Sequence, residues 1–237
     1  MSSGAARNAE RGQAGGARRV GPAAPVPGSA EDAGRLGQAG RARWVKRAVD
    51  IVIGTLALAA LAPLLLLAAV GIRLTSPGPI FYRWRVIGRG GRPFVGYKLR
   101  SMVVGAEDQK PTLMPFNEMT GPVFKMRDDP RVTRVGRVIR KFSLDEMPQL
   151  WSVIKGDMSL VGPRPVAPHE WEKFEPWQRR KLSVTPGMIC LWHVEGKPFL
   201  FEQWIKLDLE YIDRWSLWLD VKILLRGTGY ILGGRSV

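Results

Sequence analysis

The run IVIGTLALAALAPLLLLAAVGI fills residues 51–72 of the 237-residue chain and contains no charged side chain. A straight helix of this length would rise about 33 Å at roughly 1.5 Å per residue, and the hydrocarbon core of a bilayer is about 30 Å thick. The run is too long for the apolar part of a secretory signal and starts too far from Met1. We therefore predict a membrane helix over residues 41–75.

The length of this helix does not say whether it crosses the membrane or leaves by the face it entered. Pro63 removes one helical hydrogen bond and presses its ring on the preceding turn, so a kink near the middle is expected. A crossing helix usually carries Lys and Arg mainly on its cytoplasmic side, but here both flanks are basic. The basic residues are Arg41, Arg43, Lys46 and Arg47 before the run, and Arg73, Arg83, Arg85, Arg89 and Arg92 after it. A re-entrant helix broken at Pro63 and a kinked single span both stay open.

The composition limits the chemistry available to the rest of the chain. A formal charge of +15 favours an anionic partner, such as nucleic acid, a phospholipid surface or a phosphorylated substrate. One cysteine and two histidines exclude a disulfide framework, a cysteine cluster and a multi-histidine metal site. Residues 1–40 contain hardly any large apolar side chain, which predicts a disordered basic tail. Residues 76–237 are predicted to form one domain whose chemistry rests on carboxylates, Lys and Arg.

Two adjacent carboxylates, Asp145 and Glu146, lie in the stretch SLDEMPQL of residues 143–150. Ser143 and Glu146 have the spacing of a capping box, in which both side chains bond backbone amides at a helix start. A helix that starts at the pair would place Pro148 in its first turn, where a missing amide is harmless. The positive end of the helix dipole would then keep Asp145 ionised and favour a bound phosphate. The pattern therefore fits a helix cap, a catalytic centre or both.

Several cations are predicted on rigid elements. The segment PIFYRWRVIGRGGRPFVGYKLRSM of residues 79–102 is typical of a β-hairpin, and strand alternation puts Lys98 and Arg100 on one face. A solvated strand face is the alternative for these two residues. Pro163 and Pro165 hold Arg164 out of any helix, so this arginine loses little further entropy on binding.

The remaining segments predict a mostly helical domain. Residues 103–130 predict a loop-rich insertion, and PRVTRVGRVIRKF, residues 130–142, predicts a basic helical stripe that includes Arg140. QLWSVIK, residues 149–155, predicts a short helix stopped by Gly156. In residues 201–232, aromatic and leucine side chains recur at helical steps, which suits an amphipathic helix at the membrane interface or a core stripe. The predicted fold class is α/β with a small, mostly helical domain.

These parts together favour phosphoryl transfer at a membrane surface. Arg and Lys bind phosphates, and adjacent carboxylates bind Mg²⁺, which prefers oxygen ligands and substrate phosphates. A carboxylate can also attack phosphorus and form an acyl phosphate. The alternative from another class is a membrane-tethered basic protein that binds nucleic acid or anionic lipid without catalysis, with an affinity that falls steeply with salt.

Three separated motifs, in order after the apolar run, give the chain a family resemblance. They are RVTRVGRVIRKFSLDEMPQLWSVIKGDMSLVGPRP (residues 131–165), TPGMICLWHVEGK (185–197) and LDLEYIDRWSLWLDVKILLR (207–226). From about residue 45 onward, the sequence resembles the bacterial sugar transferases, the monotopic phosphoglycosyl transferases, in their short form. The resemblance implies a small, mostly helical α/β domain on the cytoplasmic face of the bacterial inner membrane. It also implies a re-entrant helix broken at a proline, and interfacial amphipathic helices.

The resemblance further implies an activity and its residues. The family transfers a sugar-1-phosphate from a UDP-sugar to a polyprenyl phosphate, undecaprenyl phosphate, and releases UMP, which starts the assembly of a cell-surface glycan. Asp145 is the implied nucleophile and Mg²⁺ ligand, and Glu146 has a metal-binding or orienting role. The implied substrate-binding residues are Lys98, Arg100, Arg140, Pro163, Arg164 and Pro165. No nucleic-acid partner is implied, and a homodimer stays open.

The chain departs from the family pattern at a few positions. Ala62 replaces a serine that often precedes the breaking proline. After the TPG motif, Cys190, His193 and Lys197 stand where glycine, glutamine and arginine are usual, which is expected to alter contacts with the nucleotide or the sugar. The extra membrane helices and second domain of larger members are not expected within the short tail of residues 1–40. The sequence does not name the sugar.

Overall fold

The computed structural model describes residues 30–196 and 198–232, and helices predominate among them. The helices are α1 (Ala30–Thr75), α2 (Lys110–Leu113), α3 (Arg134–Lys141), α4 (Leu150–Lys155), α5 (Pro168–Trp171), α6 (Pro176–Arg179), α7 (Leu191–Val194), α8 (Phe201–Asp213) and α9 (Leu217–Leu232). Single 3-10 turns occupy Arg89–Gly91, Met114–Phe116, Met147–Gln149 and Arg180–Leu182. The prediction of a mostly helical domain is confirmed, and so is the loop-rich character of residues 103–130.

The strands form two small sheets. β1 (Phe81–Ile87) and β2 (Pro93–Leu99) pair antiparallel in the predicted hairpin, and β3 (Ser159–Val161) and β4 (Gly187–Ile189) pair parallel. The turn that contains Asp145 and Glu146 lies beside the end of β2, and the Pro163–Pro165 loop comes shortly after β3 in the sequence. Both sheets therefore position segments of the candidate site. The backbone N–H of Gly187 donates to the Pro163 carbonyl at 2.8 Å, which fixes that loop on β4.

α1 is continuous through Pro63, and its break at this proline stays a prediction. The helix ends at Thr75, where the membrane helix was predicted to end, but it begins at Ala30, inside the segment predicted to be a disordered tail. The prediction for residues 1–29 lies outside the described residues. The portion Gly40–Thr75 is long and apolar enough to cross a membrane.

One face of α1 packs along the domain over the whole apolar run. Its members recur at steps of three and four residues, as expected for one side of a helix. They are Asp50, Gly54, Ala57, Leu58, Leu61, Leu65, Ala68, Gly71 and Ile72. The opposite face exposes large apolar side chains, among them Val52, Leu56, Leu66 and Leu67. Exposure of such a continuous apolar face to water is unfavourable, so this side of α1 requires contact with lipid or with another apolar surface.

Polar contacts fasten the first half of α1 to the domain. Lys46 Nζ donates to the Val161 carbonyl at 2.9 Å and pairs with Asp220 Oδ2 at 2.5 Å. Arg47 donates to the carbonyls of Val153 and Ile154 at the C-terminal end of α4, at 2.5 and 2.6 Å. These cations therefore donate to carbonyls at a helix end and a strand end, where the regular hydrogen bonds of the element stop.

The far end of α1 is fastened to the same domain. Ile72 packs with Leu99 of β2 and Ile139 of α3 in a small buried cluster. Arg100, directly after β2, donates to the carbonyls of Ser76 and Pro77 at 2.7 and 2.5 Å. Both ends of the apolar run consequently lie against one domain.

The aromatic stripe of residues 201–232 divides between core and surface. Trp204 and Tyr211 on α8 are buried, so the core-stripe alternative is confirmed for this helix. Trp218 and Leu225 on α9 are exposed, which leaves an interfacial role for α9 as a prediction.

Candidate active site

Asp145 and Glu146 lie in a tight turn between α3 and the 3-10 turn Met147–Gln149. The turn starts at Ser143, which has a φ of +50°. Among the described residues it is the one residue other than glycine with a positive φ. The Leu99 N–H at the end of β2 donates to the Asp145 carbonyl at 2.8 Å. The backbone of the dyad is thus held by the strand that carries Lys98.

The capping-box alternative for Ser143 and Glu146 is wrong in this structure. Glu146 occupies the N-cap position of the 3-10 turn, but no side-chain cap hydrogen bond forms there. Its carboxylate instead accepts a hydrogen bond from Lys98 Nζ at 2.6 Å. Pro148 does fall in the first turn, as predicted, because the missing amide there has no helical partner to lose.

Lys98 joins the dyad from the β-hairpin. Its ammonium also lies 4.1 Å from the centre of the Trp84 ring on the neighbouring strand, a cation–π contact that restricts the long side chain. About one sixth of the Lys98 side chain, 17%, is open to solvent. The Lys98 side chain is therefore partly accessible from solvent.

Arg140 approaches the dyad from the last turn of α3, with its Nε 3.9 Å from Asp145 Oδ2. The first turn of α3 is fixed by Thr133, whose hydroxyl accepts from the Gly136 N–H at 2.9 Å. A Cβ on Gly136 would lie 1.9 Å from the Ser101 carbonyl oxygen, so only glycine lets the helix start this close to β2. The close approach brings Arg140 to the dyad.

Arg164 is half-buried between two buried prolines, Pro163 and Pro165. Its guanidinium carbon lies 5.8 Å from the centre of the Trp204 ring, and its charge acts on Glu146. The structure therefore brings Lys98, Arg140 and Arg164 together around the carboxylates.

Arg100 takes a different position from the one that strand alternation suggested. It is buried, and its two terminal nitrogens are bonded to the Ser76 and Pro77 carbonyls rather than directed with Lys98 toward the dyad. The reason is that β2 ends at Leu99, so the alternation no longer applies one residue later. A substrate contact by Arg100 stays a prediction, and its observed contacts are those of an anchor for the end of α1.

The two carboxylates of the dyad have opposite pKa shifts. Burial raises the pKa of Asp145 to about 6, and the neighbouring Glu146 charge adds to this rise, against Lys98 and Arg140, which lower it. Burial would also raise the pKa of Glu146, but Lys98, Arg164 and, more weakly, His193 outweigh it and hold that pKa at about 2. Such divergence within a carboxylate pair is typical of functional sites.

The donor set suits a metal ion that shares its ligands with a substrate. Among the described residues, no three His, Cys, Asp or Glu side chains gather into a site of their own. Mg²⁺ is commonly held by one or two carboxylates together with substrate phosphates, and the adjacent Asp145 and Glu146 fit that requirement. Glu146 is engaged with Lys98, so Asp145 is the better candidate ligand.

Two of the residues that depart from the family pattern lie beside the site. The Cys190 N–H donates to His193 Nδ1 at 3.1 Å. Burial raises the pKa of the Cys190 thiol to about 12, with a further contribution from Asp208, so this cysteine stays protonated and is no nucleophile. Lys197 lies outside the described residues.

Two charged residues beneath Arg164 were not predicted from the sequence. Lys181 and Asp208 are in contact at 2.7 Å, and their side chains are 0% and 1% exposed. A signal for Asp208 did exist, because it follows Trp204 by four residues and precedes Tyr211 by three, on the buried face of α8. Lys181 gave no such signal, since it sits in a basic cluster that resembles a solvated surface.

Comparison with known proteins gives a consistent assignment. The sequence model described as bacterial sugar transferase matches residues 41–234. The galactosyl transferase CpsE of Streptococcus agalactiae serotype III is 47% identical over 161 residues, which cover 67% of this chain and 36% of CpsE. The alternative of a non-catalytic protein that binds nucleic acid or anionic lipid finds no support in these matches.

Two further relatives cover more of this chain. The UDP-glucose:undecaprenyl-phosphate glucose-1-phosphate transferase of Caulobacter vibrioides is 42% identical over 190 residues, 76% of this chain and 67% of that protein. The exopolysaccharide production protein ExoY of Sinorhizobium fredii is 38% identical over 189 residues, 76% of this chain and 82% of ExoY. By contrast, the chain spans only 36% to 41% of the length of CpsE and several other relatives.

Proposed function

Because the chain belongs to the bacterial sugar transferase family, we propose that it moves a sugar-1-phosphate from a UDP-sugar to a polyprenyl phosphate and releases UMP. The observation that carries the proposal is the buried Asp145 carboxylate beside Glu146: Lys98 and Arg140 act on Asp145, Arg164 acts on Glu146, and a membrane-capable helix packs on the same domain. The relative from Caulobacter vibrioides is a UDP-glucose:undecaprenyl-phosphate glucose-1-phosphate transferase, whose name contains both substrate classes.

In the first step, an Asp145 carboxylate oxygen attacks the β-phosphorus of the UDP-sugar. The bond from that phosphorus to the oxygen bridging the two phosphates breaks, and UMP leaves with the bridging oxygen. Lys98, Arg140 and Arg164 bind the diphosphate and offset its charge, since hydrogen bonds from cations to phosphate are strong and directional. The product on the protein is an aspartyl phosphosugar.

In the second step, a phosphate oxygen of the polyprenyl phosphate attacks the phosphosugar phosphorus and expels the Asp145 carboxylate. The bond between the sugar and its phosphate oxygen is untouched in both steps, so the anomeric configuration is retained. A phosphate monoester is largely dianionic at neutral pH, because its second pKa is about 6, and a general base is therefore unnecessary. Glu146 then serves to hold Lys98 and to orient the site.

Mg²⁺ bound at Asp145 would supply charge neutralisation for the diphosphate. The roles proposed for Lys98, Arg140 and Arg164 do not depend on the metal ion. Lys98 and Arg164 orient the phosphates, Arg140 lies nearest to Asp145, and the turn holds the attacking oxygen.

We further propose that α1 enters and leaves by the same membrane face, at the cytoplasmic side of a bacterial inner membrane. The support is that Lys46 and Arg47 before the apolar run, and Ile72 at its last position, all contact the same domain. A crossing helix would instead require this one domain to be present on both sides of a hydrocarbon layer about 30 Å thick.

Cysteine labelling tests this topology. In a Cys190→Ala background, Arg43→Cys and Pro79→Cys place single exposed thiols before and after the run. Both are expected to react with an impermeant reagent from the cytoplasmic side only, and labelling from opposite sides would refute re-entry.

UMP release tests the proposed activity. The full chain in membranes is supplied with Mg²⁺ and a panel of UDP-sugars, and UMP release is expected with at least one of them. Asp145→Asn is expected to abolish release, whereas the matched control Asp157→Asn, which changes a partly exposed aspartate paired with Lys155, is expected to retain it. Intact-mass measurement before lipid is added should detect a phosphosugar on the wild-type protein alone. Normal turnover by Asp145→Asn would overturn the nucleophile assignment.

A further inference from the structure

One edge of β3 has no strand beside it in the part of the chain that the structure describes. The other edge pairs with β4, and the last residue of β3, Val161, leads through Gly162 into the Pro163–Pro165 loop. A strand edge presents backbone N–H and C=O groups that need partners, above all where water is excluded. All three residues of β3 are buried, so this edge depends on other parts of the protein for its hydrogen bonds.

α1 bonds this edge in place of a strand. Asp50 Oδ1 accepts from the Leu160 N–H at 3.0 Å. Lys46 Nζ donates to the Val161 carbonyl at 2.9 Å. Lys46 and Asp50 are four residues apart on α1, so they lie on the same helix face, about one turn from each other. Two side chains of the membrane helix therefore bond an N–H and a C=O of consecutive residues, as a neighbouring strand would.

Two hydroxyl groups surround the same contact. Ser159 Oγ lies 3.1 Å from Asp50 Oδ1 and 3.0 Å from the Val161 carbonyl oxygen, and its one hydrogen serves either acceptor. The Tyr211 hydroxyl lies 3.2 Å from that carbonyl oxygen but 2.7 Å from Asp220 Oδ1, so its hydrogen belongs mainly to the carboxylate. Of these groups, the ammonium and the carboxylate on α1 are the ones that join the strand edge to the membrane helix.

The peptide unit that joins Val161 to Gly162 is held from two sides. Its carbonyl accepts from Lys46 on α1, and its N–H donates to the Ile189 carbonyl of β4 at 3.0 Å. A Cβ at Gly162 would lie 2.7 Å from a backbone oxygen, so glycine is required for this close fit. The direction in which the chain enters the next loop is therefore set by α1 and β4 together.

Little freedom remains between this peptide unit and Arg164. Pro163 has a fixed φ, and its carbonyl accepts from the Gly187 N–H at 2.8 Å. Pro165 restricts the backbone of Arg164 to extended conformations. A shift of the β3 edge would consequently move the Arg164 guanidinium relative to the dyad.

We propose that Asp50 and Lys46 are positioning residues, which place Arg164 at the proposed phosphate-binding site by completing the open edge of β3. The inference rests on the proposed function, because one arm of its test measures UMP release. Both residues act through the backbone of β3 and contact no reacting atom. Docking of the membrane helix on the domain and assembly of the phosphate-binding site are then a single event.

Two neutral replacements of Asp50 test the role of its oxygen. Asp50→Asn keeps an acceptor for the Leu160 N–H, whereas Asp50→Leu has the same branching and number of heavy atoms but no acceptor. We measure kcat/KM for UMP release with Mg²⁺ and the active UDP-sugar. It is expected to stay within about threefold of the wild type for Asp50→Asn and to fall about 30-fold for Asp50→Leu. Equal losses in the two variants would overturn the proposal.

Combination with Arg164→Gln separates positioning from a general loss of structure. This change is expected to lower kcat/KM about 100-fold in the wild type and in Asp50→Asn, as for the loss of one strong phosphate contact. In Asp50→Leu, where Arg164 is already misplaced, it should lower kcat/KM only about threefold more. A full Arg164→Gln effect in the folded Asp50→Leu variant would show that Asp50 does not act through Arg164.

Lys46 has a matched control in its neighbour Arg47. Arg47 also donates to backbone carbonyls, but to those at the end of α4 rather than to β3. Hydrogen exchange at the Gly162 amide, resolved by mass spectrometry in detergent, compares Lys46→Met with Arg47→Met. Exchange is expected to be at least about tenfold faster in Lys46→Met and within about twofold of the wild type in Arg47→Met. An unchanged rate in Lys46→Met would refute its positioning role.

Exchange in the wild-type protein decides the matter if the variants do not fold. The Leu160 amide is expected to be strongly protected, because Asp50 bonds it. Exchange at the rate of an unstructured peptide would refute that contact and the proposal with it. Since exchange needs no turnover, absence of UMP release in the wild type would refute the proposed function alone, and the positioning role would be judged by the exchange rates.

Discussion

Two lysine–carboxylate pairs, Lys98–Glu146 and Lys181–Asp208, act on the same arginine from different environments. Their Nζ–O distances are almost the same, 2.6 and 2.7 Å. The side chains of the first pair are 17% and 29% exposed, whereas those of the second are 0% and 1% exposed. The charge of Arg164 acts on both carboxylates.

Solvent access separates the tasks that these pairs can perform. The Lys98–Glu146 pair is partly open to water, so under the proposed function Lys98 can exchange part of its contact with Glu146 for a phosphate. The Lys181–Asp208 pair is closed to water and lacks this freedom. Solvent access thus suits the first pair to the proposed substrate binding and the second to a fixed framework.

The largest expected difference concerns folding. Lys181→Met leaves Asp208 ionised and unpaired in the interior, and we expect the free energy of unfolding to fall by about 3–5 kcal/mol. Lys98→Met, the matched control, leaves Glu146 partly in water and should change that free energy by less than about 1 kcal/mol. Denaturant unfolding in detergent measures both values. Equal decreases in the free energy of unfolding would contradict the proposed difference between the two pairs.

The loss of activity should show the reverse order, with a large loss on replacement of Lys98. Lys98→Met removes a cation from the phosphate site and is expected to lower kcat/KM for UMP release by roughly 100- to 1,000-fold. The comparison residue is Lys155, an exposed lysine paired with Asp157 at the end of α4, whose replacement by methionine should leave kcat/KM within about twofold. A Lys98→Met enzyme that turns over normally would remove Lys98 from the site.

The pH profile tests the asymmetry inside the first pair. Since the pKa of Asp145 is raised to about 6, the nucleophile is protonated below that pH, and kcat/KM should fall about tenfold per pH unit there. Lys98 lowers the pKa of Asp145, so the acid limb of the Lys98→Met profile should move to higher pH. An unmoved limb would mean that Asp145 is not the group that titrates.

The last expected effect concerns stability at the dyad. A raised carboxyl pKa means that the folded state binds its proton more tightly, so ionised Asp145 costs stability above about pH 6 and costs none below about pH 4. Asp145→Asn should therefore stabilise the protein by about 3 kcal/mol at pH 8. The gain should vanish near pH 4, and thermal unfolding at the two pH values measures it. A gain that is larger at low pH would contradict the sign of this shift.

The sequence predicted those parts of the site that depend on local geometry. The hairpin, the helix that carries Arg140 and the proline-flanked Arg164 follow from turn residues, periodicity and the fixed φ of proline, which act over a few neighbouring residues. The convergence of three cations on the Asp145–Glu146 pair needed the family resemblance, because it joins segments that are far apart in the sequence.

Other features depended on packing that no local pattern encodes. Strand alternation suggested that Arg100 would join Lys98, but β2 ends at Leu99 and Arg100 is bonded to the end of α1 instead. The capping-box spacing of Ser143 and Glu146 failed because a distant lysine competes for the glutamate. In the sequence, Lys181 resembles a surface cation, because the contacts that bury it come from α8, more than twenty residues later in the chain.

The lengthwise contact between α1 and the domain has a consequence for how the lipid substrate is met. Under the proposed same-face topology, the contacts of both ends of α1 with the domain would hold the dyad at a constant height over the bilayer. The proposed polyprenyl phosphate would then reach Asp145 by lateral diffusion within a plane, so the encounter rate would follow the number of lipid carriers per unit of membrane area. Adding inert phospholipid would dilute the second substrate while leaving the concentration of the UDP-sugar unchanged.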